Sequence, residues 1–157
     1  MRHLQVREIM NARPITVTPA TSLHDVIDIL VDRGIGCVPV VSPWGQLVGM
    51  VTGGQLLSKR ELQRDPASRP AMHLTYRARR AMATAETAGE LMSMDLVTVP
   101  PGATVPEAVQ LMEQHKVDCM PVTGEGRKLL GAIYPPDLLR AAFLFLELGG
   151  AGTGLDA

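Results

Sequence analysis

Apolar residues along this chain keep two rhythms, and each rhythm returns in a second copy. At Leu23, Val26, Ile27, Leu30 and Val31 they recur every three or four residues, which places them on one stripe of a helix. Ser22, with Asp25 three residues on, stands where a capping box opens such a helix, and Gly34 stands where it ends. Cys37-Val38-Pro39-Val40-Val41 and Leu47-Val48-Gly49-Met50-Val51 are short apolar runs around a turn and predict two strands, with a further helix starting just after Thr52. Upstream, Leu4, Val6, Ile9 and Met10 mark one or two amphipathic turns. Pro14 stops any helix there, because the residue before a proline is pushed out of the α region, and Ile15-Thr16-Val17 then reads as a short strand.

The second copy keeps this grammar. Glu90-Leu91-Met92 answers Glu8-Ile9-Met10, and Val97-Thr98-Val99 answers Ile15-Thr16-Val17. Thr104 and Glu107 form a capping box with Pro106 in the first turn, and Val105, Ala108, Val109 and Met112 give the stripe. Cys119-Met120-Pro121-Val122-Thr123 and Leu129 to Ile133 predict the two strands, and a helix follows Tyr134. The cysteines (37 and 119), prolines (39 and 121) and glycines (49 and 131) all stand 82 residues apart with no gap between them. Each unit is therefore predicted as leading helix, short strand, helix, strand, turn, strand, helix.

Between the copies, residues 58–87 break the pattern. Lys59, Arg60, Arg64, Arg69, Arg77, Arg79 and Arg80 outnumber Glu61, Asp65 and Glu86, while Pro66 and Pro70 predict a helix tail, a bend and a second helical stretch from about Thr75. A solvated linker is the expectation, with a dedicated anion or nucleic-acid surface as the alternative. At 157 residues and 46% apolar, the chain has enough material for one compact module in which two half-units share a core. A formal charge of −1 gives no general pull toward nucleic acid or membrane. No basic-apolar leader opens the sequence, and the longest apolar run, Ala141 to Leu146, is far short of the ~20 residues a spanning helix needs, so a cytoplasmic, soluble protein is expected. Cys37 and Cys119, each inside an apolar strand, are expected as reduced, buried core residues. His3, His24, His73 and His115 have no metal-ligand spacing, no phosphate loop of the Walker or dinucleotide type is present, and no serine has a His/Asp partner pattern. A non-enzyme is expected.

Two copies of a Glu-apolar-Met opening, an apolar-Thr-Val strand, a Cys-apolar-Pro-Val strand and a Gly-apolar-apolar strand before a Leu-Leu helix resemble a tandem CBS-domain pair, or Bateman module. The resemblance covers residues 4–64 and 83–148, leaving a basic linker at 65–82 and a flexible tail at 149–157. It implies an α/β (α+β) fold of two pseudo-two-fold related repeats, each a small three-stranded sheet with packed helices. It also implies two clefts of the kind that bind AMP, ADP, ATP or S-adenosylmethionine, with the ribose held by a Gly-x-x-[Ser/Thr]-x-x-Asp element. A carboxylate suits that task because it is acceptor-only and can take two adjacent hydroxyl donors. Here the element is split: the first copy has Thr52 but Gln55 in the acid position, and the second has Asp137 but Tyr134 in the hydroxyl position. The ligand residues the resemblance implies are Asp137, completed by Pro14, Ile15, Cys37 and Val38, with Ile133 and Tyr134 beside it and Thr52 in the other copy.

Other readings of the same residues stand alongside. Thr52 with Gln55 is also a capping box, and Asp137 would be stabilised at a helix N-terminus without any ligand. Family members often carry a basic residue before the apolar-Pro-Val strand, yet Gly36-Cys37 and Asp118-Cys119 occupy those places here. Arg13, Arg33, Lys116, Arg127, Lys128 and the linker arginines remain as phosphate candidates, and a ligand with little or no phosphate fits the sequence equally well. The expected function is regulatory sensing of an adenosine-type ligand, one per chain, with no required cofactor. The alternatives are a ligand-free dimerisation scaffold and nucleic-acid binding through the linker. From Leu138 to Leu148 only Arg140 and Glu147 are charged, and Phe143 and Phe145 add apolar bulk, so a second chain is expected to cover this helix in a homodimer. A regulated partner protein is expected besides, and no membrane partner.

Overall fold

The computed structural model describes residues 3–65 and 75–150, with side chains to residue 147. Its elements run α1 (Val6–Ile9), α2 (Leu23–Arg33), β1 (Cys37–Val41), β2 (Leu47–Thr52), α3 (Gly53–Arg64), α4 (Tyr76–Thr84), α5 (Ala88–Leu91), α6 (Val105–His115), β3 (Met120–Thr123), β4 (Leu129–Ile133) and α7 (Pro135–Gly150). The stripes predicted from spacing become α2 and α6. Ser22 accepts the Asp25 N–H at the start of α2, and Thr104 and Glu107 close a full capping box on α6. α2 ends at Gly34 with φ 63°, and α6 ends at Lys116, which holds the same left-handed conformation at φ 53° despite its side chain.

β1 pairs antiparallel with β2, and β3 with β4, in matching registers: Pro39 faces Met50 and Pro121 faces Ala132. The register shifts at equivalent places, between Val40 and Val41 and between Val122 and Thr123. The third strand expected in each sheet shrinks to one parallel bridge, Val17 with Val40 and Val99 with Val122. The prolines explain why. Val17 N–H donates to Pro39 O at 3.0 Å and Val41 N–H donates to Val17 O at 2.8 Å. The next bond of a parallel ladder would need an N–H at position 39 for the Ile15 carbonyl, and proline has none. Pro121 ends the equivalent ladder in the second copy.

Packing divides the chain into two compact units that cut across the repeat boundaries. One unit holds the residues up to Pro14 together with those from Val97 onward, and the other holds Ile15–Leu96. Each repeat thus lends its leading segment to the unit built on the other repeat's sheet. In the Ile15–Leu96 unit, Met50 bridges Ser93 and Ser22 bridges Thr87. In the other unit, Ala132 bridges Asn11 and Thr104 bridges Gln5, the same pairs displaced by one repeat. Glycine is needed where these segments cross the sheet. A Cβ on Gly131 would meet Asn11 O and Met10 Sδ, each at 2.7 Å, and one on Gly49 would meet Met92 Sδ at 2.3 Å.

Each unit has its own core. Val17, Leu23, Val26, Val38, Val40, Val51 and Ala88 are buried together in one, and Val6, Ile9, Val99, Ala108, Met120, Val122 and Ile133 in the other. The helical stretch expected from about Thr75 is α4, whose N-cap is Thr75 itself. Lys59 Nζ and Gln63 Nε2, both on α3, donate to the Ala83 carbonyl of α4 at 2.8 and 3.0 Å and so tie the two helices together. The bend expected around Pro66 and Pro70 lies outside the described residues. Gly149 and Gly150 belong to α7, and the rest of the expected tail lies outside the described residues.

Cys37 and Cys119 are buried as expected, but the expectation of reduced thiols is corrected: both are disulfide-bonded. An apolar strand environment accounts for burial and says nothing of what the sulfur bonds to. Among the described residues no helix is long and apolar enough to cross a membrane.

Candidate functional site

The junction of β4 and α7 carries the chemistry singled out in the sequence. Tyr134 precedes two prolines, which favour an extended residue before them and a helix after them, because the N–H groups they lack have no partner in a first turn anyway. Asp137 is the third residue of α7, and its Oδ2 accepts the Tyr134 N–H at 2.8 Å. Its own N–H donates to Tyr134 O at 2.9 Å. Oδ1 accepts from Nη2 of Arg140, one helical turn on. The carboxylate is nearly enclosed, with Asp137 5% exposed, whereas the Arg140 side chain is 65% exposed. The helix N-terminus, one backbone donor and one guanidinium together make burial of this charge tolerable.

Tyr134 is buried beside it, and its phenol is pushed up to about 12, first by burial and second by the negative charge of Asp137. At neutral pH the phenol therefore keeps its proton and remains a hydrogen-bond donor. Ile133 is fully buried and paired with Met120. Pro14, half-buried, belongs to the same unit.

The corresponding junction in the other unit is built from neutral groups. Thr52 N–H donates to Gln55 Oε1 at 2.8 Å and Gln55 N–H donates to Thr52 Oγ1 at 3.1 Å, a complete capping box. Gln55 Nε2 reaches the Leu91 carbonyl at 3.5 Å, so the amide serves both the cap and α5. Gln55 and Asp137 make the same bond to the backbone of the preceding N-cap at the same distance, one as an amide and the other as a carboxylate. Cys37 lies opposite Thr52 in the sheet register, Val38 is fully buried, and Ile15 is half-buried. Of the sequence-derived residues, the structure groups Asp137, Tyr134 and Ile133 at one junction and Cys37 and Thr52 at the other. Arg140 is the site residue the sequence reading passed over. Its signal was the three-residue spacing from Asp137, which places an acid and a base on one helical face.

Among the described residues no buried side-chain polar atom lacks a partner, and no cluster of three or more His, Cys, Asp or Glu could hold a metal ion. A ligand's hydroxyls would have to use the second lone pairs of the Asp137 oxygens or displace Arg140, since a carboxylate has about four acceptor positions and only two are taken here.

α7 has a second distinctive surface. Leu139, Phe143, Phe145 and Leu146 are each more than half exposed. A groove of about 710 Å³ runs between α6 and α7, lined chiefly by Leu4, Val105, Val109, Ala142, Phe145 and Leu146.

The CBS domain family model matches residues 6–61 and 88–143. The cystathionine beta-synthase of Oryctolagus cuniculus is 34% identical over 89 residues, which is 57% of this chain and 16% of that protein. The chain also spans less than two thirds of the length of further curated relatives. Among solved structures, CBSX2 in complex with AMP aligns with a TM-score of 0.79 at 24% identity, covering 90% of this chain and 98% of that one. The CBS domain pair of protein MJ0100, in complex with 5′-methylthioadenosine and S-adenosyl-L-methionine, aligns at 0.68 with 20% identity over 90% of this chain and 98% of that one. At these identities the structural likeness is one of fold.

Proposed function

This chain belongs to the CBS domain family, and from that premise we propose that it is a regulatory, non-catalytic module that senses an adenosine-type ligand. AMP, ADP, ATP and S-adenosylmethionine are the candidates. The observation that carries the reading is the enclosed Asp137 carboxylate at the start of α7, a charge held where a pair of ribose hydroxyls could be recognised. A charged acceptor discriminates well, because each hydrogen bond to it is worth roughly 1.5–3 kcal/mol. Tyr134 supplies a protonated phenol beside it. The backbones of Pro14, Ile15, Cys37, Val38 and Ile133 are the proposed adenine-reading groups, and Thr52 is the counterpart in the other copy. A shared fold with structures that hold AMP, or 5′-methylthioadenosine and S-adenosyl-L-methionine, supports the class of ligand.

Binding is proposed to be asymmetric, one ligand per chain, because Gln55 is committed to the Thr52 cap and the Leu91 carbonyl. The exposed apolar face of α7 supports a homodimer in which a second copy covers Phe143 and Phe145. A cytoplasmic location and a regulated partner protein complete the proposal. A ligand-free dimerisation scaffold is the second reading, and one observation favours it: both Asp137 oxygens already have partners on their own helix and its cap. A thermal-shift panel of adenosine, AMP, ADP, ATP, NAD and S-adenosylmethionine separates the two. A ligand at ~100 times its dissociation constant adds roughly 2.7 kcal/mol, or about 5–11 °C in a chain of this size. A flat panel selects the scaffold.

A further inference from the structure

We infer that Arg140 is a specificity-determining residue of this site, an internal occupant of Asp137 that yields the carboxylate to ligands carrying both a diol and an anionic group. The inference rests on the adenosine-type reading proposed above and concerns which members of that class bind. The two partners of Asp137 differ in how they can respond. Tyr134 N–H belongs to the backbone at the β4–α7 junction, and moving it would unwind the first turn of α7. Arg140 sits on a long stem with its side chain 65% exposed, so it can leave without disturbing the fold. A ribose diol approaching Asp137 competes with that guanidinium.

The outcome of the competition depends on the rest of the ligand. A neutral nucleoside replaces a charge-assisted bond with hydroxyl bonds and leaves the displaced guanidinium with water alone. A nucleotide offers phosphate oxygens to the same guanidinium, whose planar fork matches them in a bidentate fashion. Arg140 would thereby supply the basic group missing before both Cys-apolar-Pro strands, where Gly36 and Asp118 stand. The other copy supports the pairing. The positions equivalent to Asp137 and Arg140 are Gln55 and Ser58, so acid and base are both absent there. Charge is present as a pair in one copy and absent as a pair in the other.

The test is calorimetry with adenosine and with ADP on the wild type, R140Q, R140K and D137N, each checked for an unchanged melting transition. Wild type is expected to prefer ADP by about tenfold or more, a difference of about 1.4 kcal/mol. In R140Q adenosine is expected to bind roughly threefold tighter and ADP about tenfold weaker, so that the preference disappears or inverts. R140K keeps the charge without the fork and is expected to retain part of the ADP preference, and D137N is expected to weaken both ligands by up to about a hundredfold. If R140Q weakens adenosine and ADP by the same factor, Arg140 merely supports the helix: the inference is overturned and the ligand reading stands. If neither ligand binds any of the folded proteins, the ligand reading falls and takes the inference with it.

Discussion

Replacing Gly131 by alanine tests whether each leading segment packs on the other repeat's sheet. The new Cβ would lie 2.7 Å from Asn11 O, about 0.7 Å inside the closest ordinary contact. That oxygen is held in place, because it accepts the Ala132 N–H at 3.0 Å while the Asn11 N–H donates to Ala132 O at 2.9 Å. Relief therefore requires a backbone shift that strains this bridge. Adding roughly 1 kcal/mol for a weakened hydrogen bond to the 1–3 kcal/mol typical of overpacking gives a loss of about 2–4 kcal/mol. The equivalent change at Gly49 differs in kind, because the three nearest contacts there are with the Met92 side chain: Sδ at 2.3 Å, Cγ at 2.6 Å and Cβ at 2.9 Å. Truncating Met92 to alanine removes the two shortest contacts, whereas truncating Met10 leaves the backbone oxygen facing position 131. Urea unfolding of the single and double variants reads this directly. Gly49→Ala is expected to recover about 1 kcal/mol or more of its cost in a Met92→Ala background, where only the Cβ contact at 2.9 Å remains, while Gly131→Ala still costs about 2 kcal/mol or more in a Met10→Ala background. A neutral Gly131→Ala, or its full rescue by Met10→Ala, would refute the reasoning.

Four further outcomes are expected. Gly34→Ala introduces a Cβ that meets nothing within 4 Å, so its cost of about 1–2 kcal/mol comes from the left-handed backbone alone; Lys116→Gly, at the equivalent helix end, is expected to gain about 0.5–1 kcal/mol by thermal melting. The phenol of Tyr134 ionises near 12 when folded against 10 for its ordinary value, so its contribution is complete below pH 10 and is lost as pH rises through 12. Within that window the unfolded chain has shed the proton and the folded chain has kept it, so stability should fall by roughly 1.4 kcal/mol per pH unit, and Tyr134→Phe should flatten the slope in urea midpoints measured at pH 10 and 11. Phe145→Glu places a charge on the apolar face of α7 and is expected to give a monomer or an aggregate by light scattering; an unchanged dimer mass would count against that face as the interface.

The repeat was legible because identical spacing carries identical register: the proline and glycine positions that recur in the sequence also recur in the sheet pairings. Which leading segment packs on which sheet was not legible. The alignment of Glu8-Ile9-Met10 with Glu90-Leu91-Met92 shows that the segments are equivalent, and equivalence is satisfied whether each packs on its own repeat or on the other. The third strand was over-read at Ile15-Thr16-Val17 for a reason that was visible, since the proline identifying the neighbouring strand also removes the donor that would extend the ladder. The same limit applies to the cysteines, whose apolar neighbours predicted burial and left the chemistry of the sulfur open. At the candidate site, the three-residue spacing of Asp137 and Arg140 signalled their pairing, while the near-complete enclosure of the carboxylate comes from packing and was not legible. The Thr52–Gln55 cap, by contrast, could be read from residue types alone, because a capping box is a local motif and needs no tertiary information.

The proposed function turns on one charge at one of two otherwise matched helix starts, and isothermal titration calorimetry with an adenine nucleotide examines it most directly. Wild type is expected to bind one ligand per chain. Asp137→Ala is expected to weaken that binding by about ten- to a hundredfold, following from roughly 1.5–3 kcal/mol per bond to a charged acceptor. Gln55→Ala is expected to leave affinity nearly unchanged while lowering stability by about 1 kcal/mol through loss of the cap. A stoichiometry of two per chain, or a larger loss of affinity from Gln55→Ala than from Asp137→Ala, would contradict the account.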